Sequence, residues 1–325
     1  MSRRTCGVGS SADDRAALAE ARAVSVETSG SPAEFIATRR LGPCTVTVIR
    51  EGDIRWEPDV RRGDGSPVPL DLWRGVVPSA DERGGASIPC NCVLIRVDDV
   101  LAVVDPCFGE ATEDGPWPEY GLQRTAGREA AFRLLGIAPE HVTHVLLSHL
   151  HGDHIDGCTI VRNGERAPRY PRARYVLQRQ EWEPARGSDD PLGLASRHLL
   201  AVEAHGQLDL IDGDVEIGSG LWVRHRPGES RGHAIVEVTA GAHAFFHLTD
   251  LFHFACEVEH QDWAPRGVDI VTARRSRGLV CKSVEAAHAL CTFGHAGPPC
   301  FGHIERAGNG YAWRWETMPG DSQPR

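Results

Sequence analysis

No run of 18 apolar residues occurs in this chain of 325 residues, so no segment is long enough to cross a bilayer as an apolar helix. The start, Met1 to Ala23, also lacks the apolar centre of a secretory signal: Arg3 and Arg4 lead into Gly, Ser, Asp and Glu. A cytoplasmic protein without a membrane partner is the expectation. Basic residues are short as well. The 35 Lys and Arg stand against 45 Asp and Glu, a formal charge of −10, which leaves no basic surface for counterion release from phosphates. Nucleic acid is therefore not an expected partner. The pair Cys90 and Cys92 has no CxxC to complete a zinc clamp, and the ten cysteines are scattered through a long chain, so they read as reduced, partly buried thiols. No repeat of 20 to 50 residues is present.

What is there belongs to an ordinary globular protein: 41% hydrophobic and 25% charged residues, enough to bury a sizeable core. Residues 1–40 are polar apart from an Ala-rich piece at 13–24, and read as an extension with one short helix. A single domain is expected over 41–318, with a flexible tail at 319–325. CTVTVIR (44–50) has the β-branched alternation of a strand, and CVLIRV with VLAVVD (92–105) reads as a hairpin about Asp98-Asp99. The Gly-, Pro- and Arg-rich stretch 56–89 is longer than a functionless loop usually is and is a candidate substrate lid, with Trp56 and Trp73 expected to cover a pocket mouth. A helix over 127–135 would bury Ala131, Leu134 and Leu135, and HVTHVLLS (141–148) is an apolar run of buried-strand type. Strands follow at 175–178, 208–211, 221–224, 235–239 and 244–248. A helix over 268–288 is expected to expose Arg274, Arg275 and Arg277, before a last core strand at 289–293; another strand begins at His303. Strands with interspersed helices make an α/β layered fold the natural class.

The chemistry sits just after the 141–148 run, in Ser148-His149-Leu150-His151-Gly152-Asp153-His154. Extended backbone would throw His149, His151 and Asp153 to one side, and a reversal at Asp153 would bring His154 round. Three imidazoles and a carboxylate within six residues suit zinc, with iron, manganese or cobalt also admissible. A lone His is usually a satisfied core or surface residue, and His141 and His144 are read that way.

The segment Ser148–Gly157 resembles the HxHxDH signature of the metallo-β-lactamase superfamily. Asp105 resembles that family's strand-end Asp, which supports the metal loop without being a ligand. Pro227–His233 resembles its PGHTxGH element, with Glu229 where the earlier, non-ligand His would stand. Leu248-Thr249-Asp250 and Phe293-Gly294-His295 resemble its bridging-Asp and last-ligand strand ends. The resemblance runs over about residues 41 to 306. It implies an αββα sandwich of two mixed β-sheets flanked by helices, and two divalent metal ions, zinc first among them. One would be held by His149, His151 and His233, the other by Asp153, His154 and His295, with Asp250 between them; His295 is preferred to His303 as the last ligand. It also implies a metal-bridging hydroxide as nucleophile, with Asp153 passing a proton to the leaving group.

Within the superfamily, residues 250–263 look most like the branch of N-acyl homoserine lactonases and methyl parathion hydrolase-type enzymes. This implies hydrolysis of a lactone or ester of a small molecule. Phosphotriester or thioester (glyoxalase II-like) hydrolysis and a mono-iron persulfide dioxygenase stay open, as does a homodimer. The lactonases carry a Tyr three residues after the bridging Asp, where this chain has His253. That histidine is expected to face substrate and to stabilise or protonate the oxygen that develops charge, as a neutral N–H donor because nearby cations would lower its pKa.

Overall fold

The computed structural model describes residues 34–109, 117–186 and 194–317. Both sheets and the candidate site belong to one compact unit that begins at Phe35. The helix expected over 13–24 and the tail 319–325 lie outside the described residues.

In the first sheet β1 (Ile36–Leu41), β2 (Cys44–Trp56), β3 (Ala86–Val97), β4 (Val100–Val104), β5 (His144–Leu146), β6 (Arg174–Gln178) and β7 (Leu208–Ile211) lie side by side in chain order. Pairing is antiparallel up to β4 and parallel from β4 to β7, and Gln123–Arg124 adds an eighth, two-residue strand on β2. The second sheet repeats the plan with β8 (Val215–Gly218), β9 (Leu221–His225), β10 (Ala234–Ala240), β11 (His243–His247), β12 (Leu290–Thr292), β13 (Gly302–Ala307) and β14 (Gly310–Trp315). Only the β11–β12 pair is parallel there.

The strands read as near-continuous apolar runs because both faces of each sheet are covered. Along β2, β3 and β4 alternate residues, Val46, Val48, Val93, Ile95, Ala102 and Val104, meet Val223, Val236, Val238 and Phe245 of the second sheet. Their neighbours Ile49, Cys92, Leu94, Leu101 and Val103 point the other way. That outer face is covered by α2 (Gly127–Leu134), α4 (Arg179–Ala185) and α5 (Leu194–Ala204), through Ala131, Phe132, Trp182, Leu199 and Val202. The second sheet's outer face is covered by α6 (Ile270–Ala287), through Val280, Cys281 and Val284. The layers are helix, sheet, sheet, helix. Each fully buried Val, Ile or Leu stabilises this arrangement by roughly 1.5–3 kcal/mol.

Several local expectations fail, each for a physical reason. β1 starts at Ile36, ahead of the boundary expected at 41. Its sequence IATRRL hides a strand because an edge position leaves alternate residues exposed. Pairing within 141–148 is confined to His144–Leu146, after a 3₁₀ turn at Pro139–His141. In α2 the buried face is Arg128, Ala131 and Phe132, while Leu134 and Leu135 are 54% and 39% exposed. Arg277 is buried, not exposed: its Nε donates to the Leu251 carbonyl and its Nη2 pairs with Glu257 at 3.1 Å. Stretch 56–89 is not one loop. β2 and β3 run into it from both ends, and it holds a short strand at Val60–Arg61 and α1 (Leu70–Val76). Trp73 of α1 is buried, its Nε1–H donating to the Gly84 carbonyl and its ring set edge-on to Phe254 at 4.9 Å, so it is core and not a pocket rim. The described cysteines form no disulfide.

Candidate metal centre

Past β5 the chain leaves regular structure and re-enters it as a single helical turn, α3 (Gly152–Ile155). Asp153 and His154 therefore lie on helical backbone, not on the extended run expected for Asp153. The loop is anchored from β4. Asp105, in left-handed backbone at φ 48°, accepts the Ser148 N–H at 2.8 Å, the Ser148 hydroxyl at 2.7 Å and His154 Nδ1–H at 2.8 Å. Gly157 is obligatory, since a Cβ there would overlap the Pro106 carbonyl.

The seven expected ligands come together from four separate segments of chain, around residues 149–154, 233, 250 and 295. His149 Nε2 lies 2.8 Å from His151 Nδ1 and 3.8 Å from Asp250 Oδ2. His154 Nε2 and His295 Nε2 lie 3.1 and 3.4 Å from the same oxygen, and each is 3.7 Å from Asp153 Oδ2. His233 is packed beside His149, ring centres 5.4 Å apart. His303 is elsewhere, on β13, its Nδ1–H donating to the Ala289 carbonyl.

The hydrogen bonds decide which nitrogen of each ring faces inward. A carbonyl only accepts, so the contacts from His233 Nδ1 to the Arg226 carbonyl and from His295 Nδ1 to the Pro89 carbonyl put a proton on Nδ1. The Ser148 hydroxyl, which donates to Asp105, likewise accepts from His149 Nδ1. His149, His154, His233 and His295 are thus each gripped by Nδ1; Nε2 of His149, His154 and His295 turns toward Asp250, as metal-ligating imidazoles are held, while Nε2 of His233 lies 2.9 Å from the Thr249 hydroxyl. Asp250 Oδ1 is buried and has no hydrogen-bond partner, and a Cβ on Gly294 would come within 2.5 Å of it. Such a donor set, with an uncompensated buried carboxylate oxygen, fits divalent cations.

Electrostatics divides the site. Burial, then neighbouring His154 and His151, holds His149 well below the ordinary histidine range, and burial pushes His233 down to about 4. Burial opposes charge on His154 and His295 too, but Asp250 and Asp153 outweigh it and raise both. In turn His154 and His295 hold Asp250 far below the usual carboxylate range despite burial.

The centre forms the floor of a cavity of about 420 Å³, walled by Ile54, Trp56, Ile88, Trp117 and Leu194 with Arg266 at its edge. His253 lines it beside Asp250, with Nε2 3.5 Å from Asp250 Oδ2 and its ring 5.2 Å from Trp56. Burial works against the imidazolium, yet the carboxylates of Glu229, Asp250 and Glu257 raise its pKa to about 9. In the cation-free protein the shift is thus opposite to the lowering expected, because Glu229 and Glu257 stand beside it. Two residues at the centre were missed from sequence. Glu229 Oε1 lies 3.4 Å from His151 Nδ1 and Oε2 lies 3.5 Å from His253 Nε2. Cys90 Sγ stands 3.8 Å from Asp153 Oδ2 and 3.9 Å from His295 Nδ1. Only the departure from the PGHTxGH pattern could have drawn attention to Glu229, and nothing local marks Cys90. Cys158 is buried and its thiol pushed well up by that burial, which makes it packing, not a nucleophile.

Residues 87–275, more than half of the chain, match the family model described as metallo-beta-lactamase superfamily. A protein of Mycobacterium tuberculosis named as a probable metallo-hydrolase is 28% identical over 193 residues, 52% of this chain and 58% of that one. An N-acyl homoserine lactonase of a Bacillus species is 29% identical over 156 residues, 45% of this chain and 56% of the relative. The chain thus spans little more than half the length of these curated relatives. Among solved structures, a dizinc quorum-quenching lactonase in complex with a product superposes with a TM-score of 0.71 at 17% identity, over 88% of this chain and 100% of the other, a likeness of fold.

Proposed function

Because the chain belongs to the metallo-beta-lactamase superfamily, we propose that it is a metal-dependent hydrolase that opens a lactone or ester bond in a small, partly apolar molecule. The observation that carries this reading is the convergence, at the floor of a mostly apolar cavity, of inward-facing imidazole nitrogens around one shared carboxylate, Asp250. His149, His151 and His233 would hold one divalent cation and Asp153, His154 and His295 the other. Zinc is the first choice for both. Held there, divalent cations would lower the pKa of a coordinated water from 15.7 toward about 7 and would polarise a scissile carbonyl oxygen.

The chain's own residues supply the rest. Asp105, Pro89 and Arg226 hold their histidines by Nδ1, so the ring orientations exist before substrate arrives. Asp153 lines the cavity floor, where its carboxylate can take a proton from the attacking water and return it to the leaving oxygen. His253 faces the same space and donates through Nε2 to the oxygen that gains charge. Trp56, Ile54, Ile88 and Trp117 give the apolar part of a substrate its contact area and keep water off the reacting bond.

A panel of lactones, aryl esters, thioesters and phosphotriesters, assayed with zinc-, manganese- and cobalt-loaded protein, tests the reading. Hydrolysis of lactones or aryl esters well above the other classes is expected. Activity on thioesters or phosphotriesters alone would move the assignment to those bonds, and no hydrolysis of any class would remove it.

A further inference from the structure

We propose that Glu229 is a ligand of the histidine-rich cation, a carboxylate donor added to His149, His151 and His233, so that this half of the centre takes a divalent cation with more than the usual tetrahedral set of donors. The inference rests on the two-cation reading above.

Position comes first. Glu229 Oε1 stands 3.4 Å from His151 Nδ1, and His151 Nδ1 stands 2.8 Å from His149 Nε2. One ligand atom from each of these three residues falls within 4.8 Å of the other two. Two donors each about 2.1 Å from one ion are separated by about 3 Å at right angles and by somewhat more at the tetrahedral angle, so both spacings are edges of a single coordination polyhedron. The side chain is 7% exposed, and its Oε2 is buried without a hydrogen bond. Among the described residues no arginine, lysine or backbone N–H reaches it, and its neighbours within ion-pair range are His151 and His253. A carboxylate buried beside two more, Asp250 and Glu257, is costly unless a cation compensates it.

The loop that carries Glu229 is fixed independently of the side chain. The Gly232 N–H and the Ser230 hydroxyl both donate to Glu181 Oε1 of α4, at 2.7 and 2.5 Å. On the other side the Asp269 N–H donates to the Gly228 carbonyl at 2.9 Å and the Ser276 hydroxyl of α6 to the Pro227 carbonyl at 2.6 Å. At Gly228, φ is 150° and a Cβ would collide with the Ala273 backbone, so the loop lies flat on α6. Tethered from both flanks, the segment aims one polar side chain at the histidines, and that side chain is a carboxylate. Substitution by Gln keeps its shape and removes its charge.

Zinc affinity of the parent and of Glu229→Gln, each stripped and titrated against a competing chelator, tests the proposal without any activity measurement. Loss of an outer partner of a ligand weakens binding by about 10- to 100-fold. A ligand should cost more, so the expected fall for one of the two zinc ions is above about 100-fold, with the other ion held as in the parent. A smaller fall overturns the assignment of Glu229. Parent protein that takes up no zinc tightly would instead overturn the two-cation reading itself. If Glu229→Gln does not fold, a crystal structure of the zinc-loaded parent decides: a Glu229 oxygen at about 2.0–2.2 Å from the ion is expected, and one beyond about 3 Å overturns the proposal.

Discussion

The two halves of the centre are built from similar side chains and are electrostatically unlike. Around His149 and His233 the dominant influence is burial, which favours the neutral rings before any cation arrives. Around His154 and His295 the carboxylates of Asp153, Asp250 and, for His154, Asp105 win over burial and raise both rings' pKa, favouring their protonated forms in the cation-free protein. One half is a preformed donor set. The other is a buried ion-pair network that must exchange protons for a cation. The lesson is that ligand identity alone does not fix how a site loads; the charge around each ligand does.

The strongest way to break this contrast is to remove the one residue the halves share. Asp250→Ala should abolish tight binding of both cations and lower turnover by more than about a thousandfold, whereas His233→Ala should cost one cation only. Cation content per chain and steady-state rates check both. A smaller loss, of roughly ten- to a thousandfold in turnover, is expected for His253→Ala with both cations retained, since one transition-state donor is removed. Loss of a cation in that variant would make His253 a ligand.

The contrast sharpens with pH. Cation affinity of the Asp153, His154 and His295 half should rise about tenfold per pH unit for each proton displaced, while the other half stays nearly flat around neutrality. Calorimetric titration in buffers of different ionisation enthalpy counts those protons. The cation-free protein should also lose stability as pH rises. His253 has a folded pKa raised to about 9, so its contribution is complete below about 6.5 and is lost as pH climbs through the folded value. Denaturant unfolding across that window, repeated on His253→Ala, should give a flatter profile for the variant. The smallest effect concerns the wall: Trp56→Ala should raise KM about tenfold with turnover little changed, as for the loss of about 1.4 kcal/mol of apolar contact.

How much of this was legible in the sequence follows from how local each signal is. The His149–His154 run announces itself because its spacing is a property of one short segment, and Asp250 and His295 could be located because each follows, three residues on, a strand with a matching pattern. β2, β3 and β4 were legible because strands buried on both faces are apolar throughout. Arg277 was misread because a helical Arg looks like solvent-facing charge until Glu257 and the Leu251 carbonyl appear opposite it. Trp73 was placed at the pocket mouth because nothing local says that α1 tucks it under Phe254. Glu229 and Cys90 reach the centre only through tertiary packing, from a loop pinned between α4 and α6 and from the middle of β3. No spacing rule connects either to residues 149–154.

The central claim is that this chain holds two divalent cations around Asp250. Elemental analysis of protein stripped of metal, reloaded with zinc and freed of excess tests it most directly. The account predicts two zinc ions per chain for the parent and none tightly bound for Asp250→Ala. A parent ratio fixed at one, unchanged when zinc is supplied in excess, would contradict it.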